Sequence, residues 1–158
     1  MFRELTRKRQ ALTREECLAL LRSELRGVLS VQGDDGYPYG MPMNHYYNDE
    51  DGRLYFHSGK HGHRPDAIRR CSKASFCVCD AGTRRPGDWA LHFRSVIVFG
   101  RIECIEDAET IRDIAARLSR KFTDDEDYIR REIAQFAPAT MLFALTPEHI
   151  TGKTVHEA

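Results

Sequence analysis

The chain lacks any apolar run near the roughly 18 residues that a membrane-spanning helix requires. Its first ten residues, MFRELTRKRQ, lack the apolar centre of a secretory signal. Neither a bilayer-spanning nor an exported protein is expected. Net charge is missing as well: 24 Lys and Arg offset 24 Asp and Glu. That balance argues against broad attraction to nucleic acid or to a membrane surface. Neither G-x-G-x-x-G nor G-x-x-x-x-G-K-[ST] occurs, so the common dinucleotide and triphosphate loops are excluded. The five cysteines (Cys17, Cys71, Cys77, Cys79 and Cys104) form no disulfide framework. In a chain without an export signal they read as reduced thiols, which places it in the cytoplasm. Repeats, low-complexity tracts and linkers are absent, and 158 residues form one domain, 1–158, with a core of useful size.

What is present is a run of short strands with a few helices. Thr13-Arg-Glu-Glu16 is a capping box opening an amphipathic helix that carries Cys17, Leu18, Leu21 and Leu25 on one side and ends at Gly27. Strand-like segments follow at 28–32, 38–47 and 53–58, joined by the turn sequences GDDG and NDEDG. Further strands are expected at 74–80, 90–105 and 140–145, with Val96, Ile97, Val98 and Phe99 buried on both faces. Helices are expected over 108–122 and from a second capping box, Thr123-Asp-Asp-Glu126, to Phe136. Regular strand–helix alternation is lacking, which excludes a doubly wound sheet and favours an antiparallel barrel of six strands with peripheral helices.

The most informative stretch is RLYFHSGKHGHRPDAIRR, residues 53–70. It reads as a strand, a basic turn with two glycines, and a helix opening near Pro65 and Asp66. Backbone N–H groups at a helix start, together with Lys60, Arg64 and the histidines His61 and His63, suit a phosphate. Glycine lets the backbone approach an anion without a Cβ in the way. A phosphate-bearing cofactor is the expectation.

In order, GYPYGMPMNHYY, LYFHSGKHGHRPDAIRR, SFCVCD and FRSVIVFGRIECIED resemble the FMN-binding split-barrel superfamily, whose best-known member is pyridoxamine-phosphate oxidase. Within it the chain looks similar to nitroimidazole-resistance-type flavoproteins. The resemblance implies a mainly β fold, a six-stranded antiparallel split β-barrel, and a homodimer with FMN between its subunits. It places backbone groups of Pro42, Met43 and Asn44 beside the isoalloxazine, and His57 and Ser58 at the strand end near the flavin. Lys60, His63 and Arg64 would bind the phosphate, Arg94 and Ser95 would approach from the same or the partner subunit, and Lys153 would close over the cofactor. It further implies oxidation or reduction of a small molecule, nitro- or quinone-like, with His57 as a proton donor. Gly62-His63-Arg64 replaces the oxidase's Ser-Arg-Lys turn, and the oxidase's C-terminal Arg/His run is missing, which argues against pyridoxamine-phosphate oxidation itself.

Other readings stay open at this stage. His57 is also consistent with a histidine on a half-buried strand face, and Lys60 and Arg64 with solvated surface charge. His57, His61 and His63 fit no closed zinc geometry, so no metal is assigned. Cys77 and Cys79 share a strand face and read as buried structural thiols. A non-enzymatic flavin module and a haem protein with His57 or His149 as axial ligand are the rivals. Trp89, His92 and Phe93 are expected at the dimer interface or the cleft wall, or else in the core.

Overall fold

The computed structural model describes residues 2–156. Helix α1 (Arg14–Ser23) starts as its capping box requires: Thr13 Oγ1 accepts from the Glu16 N–H, and the Glu16 carboxylate accepts the Thr13 N–H at 2.7 Å. It ends at Ser23, because Glu24 is already extended. Leu25 is exposed, and Gly27 lies inside strand β1 (Arg26–Gln32). Gly27 is needed there for closeness: a Cβ would overlap the Phe76 ring and the Cys77 carbonyl.

The expected strand over 38–47 is two strands, β2 (Pro38–Asn44) and β3 (Tyr46–Asn48), broken at His45. Then come β4 (Arg53–Gly59), α2 (His63–Arg70), β5 (Lys73–Cys79), the two-residue β6 (Thr83–Arg84) and β7 (Leu91–Ile105). Helices α3 (Ala108–Ser119) and α4 (Glu126–Phe136) precede the last strand, β8 (Thr140–His156). Eight strands replace the expected six, and β8 runs past the expected end at 145 to His156. Its partner dictates this: β7 is long enough to pair with β8 from Ile105↔Leu142 to His92↔His156, with one register shift at Phe99/Gly100. Helix α4 is capped by Asp125, whose carboxylate accepts the Tyr128 N–H at 2.9 Å, and not by Thr123.

All pairings are antiparallel, in the order β2-β1-β5-β7-β8-β4-β3, with β6 on β7. The two ends of this order, β2 and β3, are joined in sequence by His45 alone. A flat sheet could not place its two edges one residue apart, so the sheet curls into a barrel left split between them. Its interior holds Leu29, Met41, Phe56, Phe76, Val98 and Phe143, closed by Leu20 and Leu21 of α1. Truncating one of the buried phenylalanines to alanine would cost about 3–5 kcal/mol. A smaller cluster (Tyr55, Ile111, Ile114, Leu142 and Ala144) fastens α3 to the outer face of β4 and β8.

Strand alternation corrects two further expectations. Val96 and Val98 point inward, whereas Ile97 and Phe99 point outward and are each 38% exposed. Likewise Phe76 and Val78 fill the core, leaving Cys77 and Cys79 exposed. Cross-strand register lines up Pro42, Val28, Cys77, Ile97 and Thr151 in one outward row. No helix among the described residues is long and apolar enough to cross a membrane.

Candidate functional site

The basic turn begins where β4 ends. Gly62 has φ 111°, a conformation that L side chains rarely adopt, and it stands immediately before α2. The helix therefore starts at His63, two residues earlier than Pro65 suggested. Pro65 has no N–H and the Asp66 N–H bonds the Gly62 carbonyl at 3.2 Å, which leaves His63 and Arg64 as its free first donors. A hollow of about 240 Å³ opens here, lined by Tyr39, Ser58, Gly59, His61, His63 and Arg64. The His63 ring stacks on Tyr39 at 4.1 Å, and its Nε2 lies 3.4 Å from Asp34, which also takes Arg70 at 2.6 Å. Arg64 is exposed and has no carboxylate partner among the described residues. Lys60 turns away from this point: its Nζ donates to the Pro138 carbonyl at 2.7 Å.

On the outward face of β4, His57 lies on the floor of a second hollow of about 430 Å³, with Asn44 of β2 beside it. Leu118 and Phe122 at the end of α3, and Ile133 and Phe136 of α4, form its walls. Crowding by the protein, aided by the charge of Arg64, lowers the pKa of His57 below its usual 6.5 and keeps the ring neutral at pH 7. A neutral imidazole there can donate a hydrogen bond or pass a proton. Asn44 Oδ1 accepts from Arg26 Nε at 2.8 Å. Pro42 is exposed, whereas the Met43 side chain is in the core, so only its backbone remains on the strand edge. Because β2 ends the strand order, its outer backbone groups have no strand partner.

Within this chain the structure brings Asn44, His57, Ser58, His63 and Arg64 to two hollows that share the end of β4. It does not bring Arg94, Ser95 or Lys153 there. Arg94 is held by Asp80, through Nε at 2.8 Å and its own N–H at 2.9 Å, beside a separate hollow of about 520 Å³. Ser95 and Lys153 are cross-strand neighbours on β7 and β8. Trp89 is 72% exposed, and His92 contacts His156. His149 is stacked on Phe2 at 4.7 Å, and its Nε2 is buried without a partner.

The helical walls were not singled out from sequence, although Ile129, Ile133 and Phe136 recur at helical spacing. The periodicity gives α4 an apolar face but not the surface it meets. Also missed were His45 and Lys121. The His45 ring is fully buried, its Nε2–H donates to the Leu21 carbonyl at 2.8 Å, and burial pushes its pKa down to about 4. Lys121 Nζ donates to the Glu24 and His45 carbonyls at 2.6 and 3.0 Å, and burial lowers its pKa to about 8.

Solved structures share this architecture. A conserved hypothetical protein from Mycobacterium tuberculosis is 18% identical, with a TM-score of 0.81 over 95% of this chain and 90% of that one. A candidate 5-nitroimidazole antibiotic resistance protein from Bacteroides thetaiotaomicron is 20% identical, with a TM-score of 0.75 over 92% and 87%. An FAD-binding protein from Mesorhizobium loti is 26% identical, with a TM-score of 0.70 over 92% and 97%. No curated protein matches the chain. Residues 13–154 match the family model described as pyridoxamine 5'-phosphate oxidase. The split barrel, its strand-to-helix turn and this match together establish that the chain belongs to the pyridoxamine 5'-phosphate oxidase family, within the split-barrel superfamily that its motifs resemble.

Proposed function

We propose that the protein binds FMN at the end of β4, as a homodimer, and uses it to oxidise or reduce a small molecule. The observation that carries this reading is the pairing of two unlike compartments. One is small and cationic, at the start of α2, and the other is larger, walled by apolar side chains and floored by His57. Phosphate suits the first: Arg64 is free of carboxylates, the His63 and Arg64 N–H groups open the helix without a partner, and Gly62 removes the Cβ that would crowd an anion. His63 adds a positive charge only when protonated, and Lys60 acts by tying the turn to Pro138. The backbone edge of Pro42, Met43 and Asn44, with His57 and Ser58, borders the path between the compartments.

When bound, the flavin supplies the hydride and electron chemistry. The chain's own part is to hold the phosphate, to shield one side of the site with α3 and α4, and to offer a neutral His57 that donates an N–H hydrogen bond or relays a proton taken up at its other ring nitrogen. Arg94, Ser95 and Lys153 lie apart from the His57 floor within one chain, so in this reading they serve the site of the partner subunit. The outward apolar pair Val28 and Ile97, 42% and 38% exposed, supports such a dimer, with Phe99 beside them stacked on Phe2 and His149. The relatedness to an FAD-binding protein at 26% identity supports a flavin as the cofactor class.

An absorbance spectrum of the protein, taken as purified and again after adding FMN and removing the excess, tests the reading. Retained flavin bands, released as FMN on denaturation, are the expected result. A Soret band, or a colourless protein that retains no FMN, would overturn it. Anaerobic NAD(P)H then distinguishes an enzyme from a binding module, because an enzyme bleaches its flavin faster than free FMN is bleached.

A further inference from the structure

The two compartments carry opposite charge, and this specifies the molecule that joins the flavin. The lining of the larger hollow contains one ionised group, the half-buried Glu132 carboxylate of α4. No cation pairs with Glu132 among the described residues. His57 on the floor is neutral at pH 7, and Asn44, Ser119 and Thr140 contribute uncharged polar atoms. The cations around it are engaged elsewhere: Arg26 Nε donates to Asn44 Oδ1 at 2.8 Å, Arg64 lines the phosphate hollow, and Lys60 and Arg112 line a separate hollow of about 290 Å³ that shares Ile111 and Ile133 with this one. Phe122 and Phe136 are 45% and 50% exposed at its walls, a large aromatic area left for a flat partner. A volume of about 430 Å³ lies in the range of small-molecule sites.

We infer that the hollow between α3, α4 and His57 is a selective site for a flat aromatic ring bearing a cationic or N–H-donating group that pairs with Glu132. The ring lies against Phe122 and Phe136, and the donor reaches the carboxylate. An anionic group placed at Glu132 is rejected, because its charge would meet an unpaired carboxylate in an apolar wall, whereas a phosphate held at Arg64 in the other compartment is not affected. This rests on the flavin reading for the fate of the occupant, though not for its binding. It assigns the reaction a neutral or amine-bearing aromatic substrate.

Two probes of equal ring size test it: 1-naphthylmethylamine, a cation at pH 7, and 1-naphthoate, an anion. Calorimetric titration of the full chain is expected to give roughly tenfold tighter binding of the cation, the scale of one charge-assisted contact. Glu132→Gln should bring the two affinities within about threefold, and Phe136→Ala should weaken both probes alike. In the wild type, raising the salt from about 0.05 to 0.5 M should shrink the preference, a readout independent of whether any variant folds. Equal affinities in the wild type, a preference unchanged by Glu132→Gln, or no binding of either probe would overturn the inference. Each titration is run on flavin-free protein and again after FMN addition. Cation preference in a protein that retains no FMN would sink the flavin reading and leave this site standing. FMN retention without cation preference would do the reverse.

Discussion

Arg64 follows the left-handed Gly62 by two residues and has no carboxylate partner among the described residues. Its replacement is therefore the sharpest single-residue probe of the phosphate site. Arg64→Ala should weaken FMN binding by about 1–3 kcal/mol, measured by fluorescence titration, with little change in thermal stability. Affinity equal to the wild type would show that the phosphate lies elsewhere. His45 makes a different prediction. Its pKa is about 4 in the folded protein, against 6.5 for an unhindered imidazole. Between those values the unfolded chain holds a proton that the folded chain refuses, so stability falls as pH drops from about 6.5 to about 4. Relative to His45→Gln, the wild type should lose about 3 kcal/mol more over that interval by urea denaturation, and equal losses would refute the assignment. Arg64 and His57 were legible because they sit in one stretch of eighteen residues, 53–70, with the turn that positions them. His45 was not: its burial depends on Leu21 and Phe76, and its carbonyl is held by Lys121, 76 positions away.

Elements showed the same division between local and distant causes. Capping and turn chemistry is local, so α1 begins at Thr13 as its motif requires, and the GDDG turn places Asp35 and Gly36 at positive φ. Choices between adjacent caps were harder: Asp125 reaches the Tyr128 N–H directly, leaving Thr123 Oγ1 to accept from Asp125. Strand length is set by the partner. The sequence TPEHITGKT has little strand character alone, and β7 recruits it by offering an unpaired edge. Gly100, at the register shift, shows how close the two strands come, since a Cβ there would overlap the Thr146 carbonyl oxygen. Gly100→Ala should destabilise the fold by about 1–3 kcal/mol in chemical denaturation. A neutral result would mean that the β7–β8 pairing can yield at its bulge. Alternation likewise explains why a continuous run such as Val96 to Phe99 was misjudged: hydrophobicity on both faces does not reveal what covers the outer one.

For the whole molecule, antiparallel topology and barrel class followed from turn spacing and from the lack of strand–helix alternation, and they hold with eight strands in place of six. The larger hollow could not be foreseen, because its floor comes from β2 and β4 and its walls from helices more than fifty residues later. The outward row is the feature through which a dimer can be tested. Ile97→Glu would put a carboxylate in this row without touching the interior, and should give a monomer in light scattering where the wild type gives a dimer. Flavin retention should fall with it if Arg94, Ser95 and Lys153 serve the partner's site. A variant that remains dimeric would move the interface elsewhere.

The position of β4 in the strand order also governs when the site comes into being. This strand, which carries His57 and leads into the basic turn, pairs on its long side only with β8, through contacts such as Leu54↔Leu145. During synthesis β1, β2 and β5 can find one another early, whereas β4 must wait until about ninety further residues have left the ribosome. A nascent chain released before β8 would hold nearly every polar residue of the cofactor site and yet have only the three-residue β3 to align them, paired to the start of β4 and not to the end that carries His57.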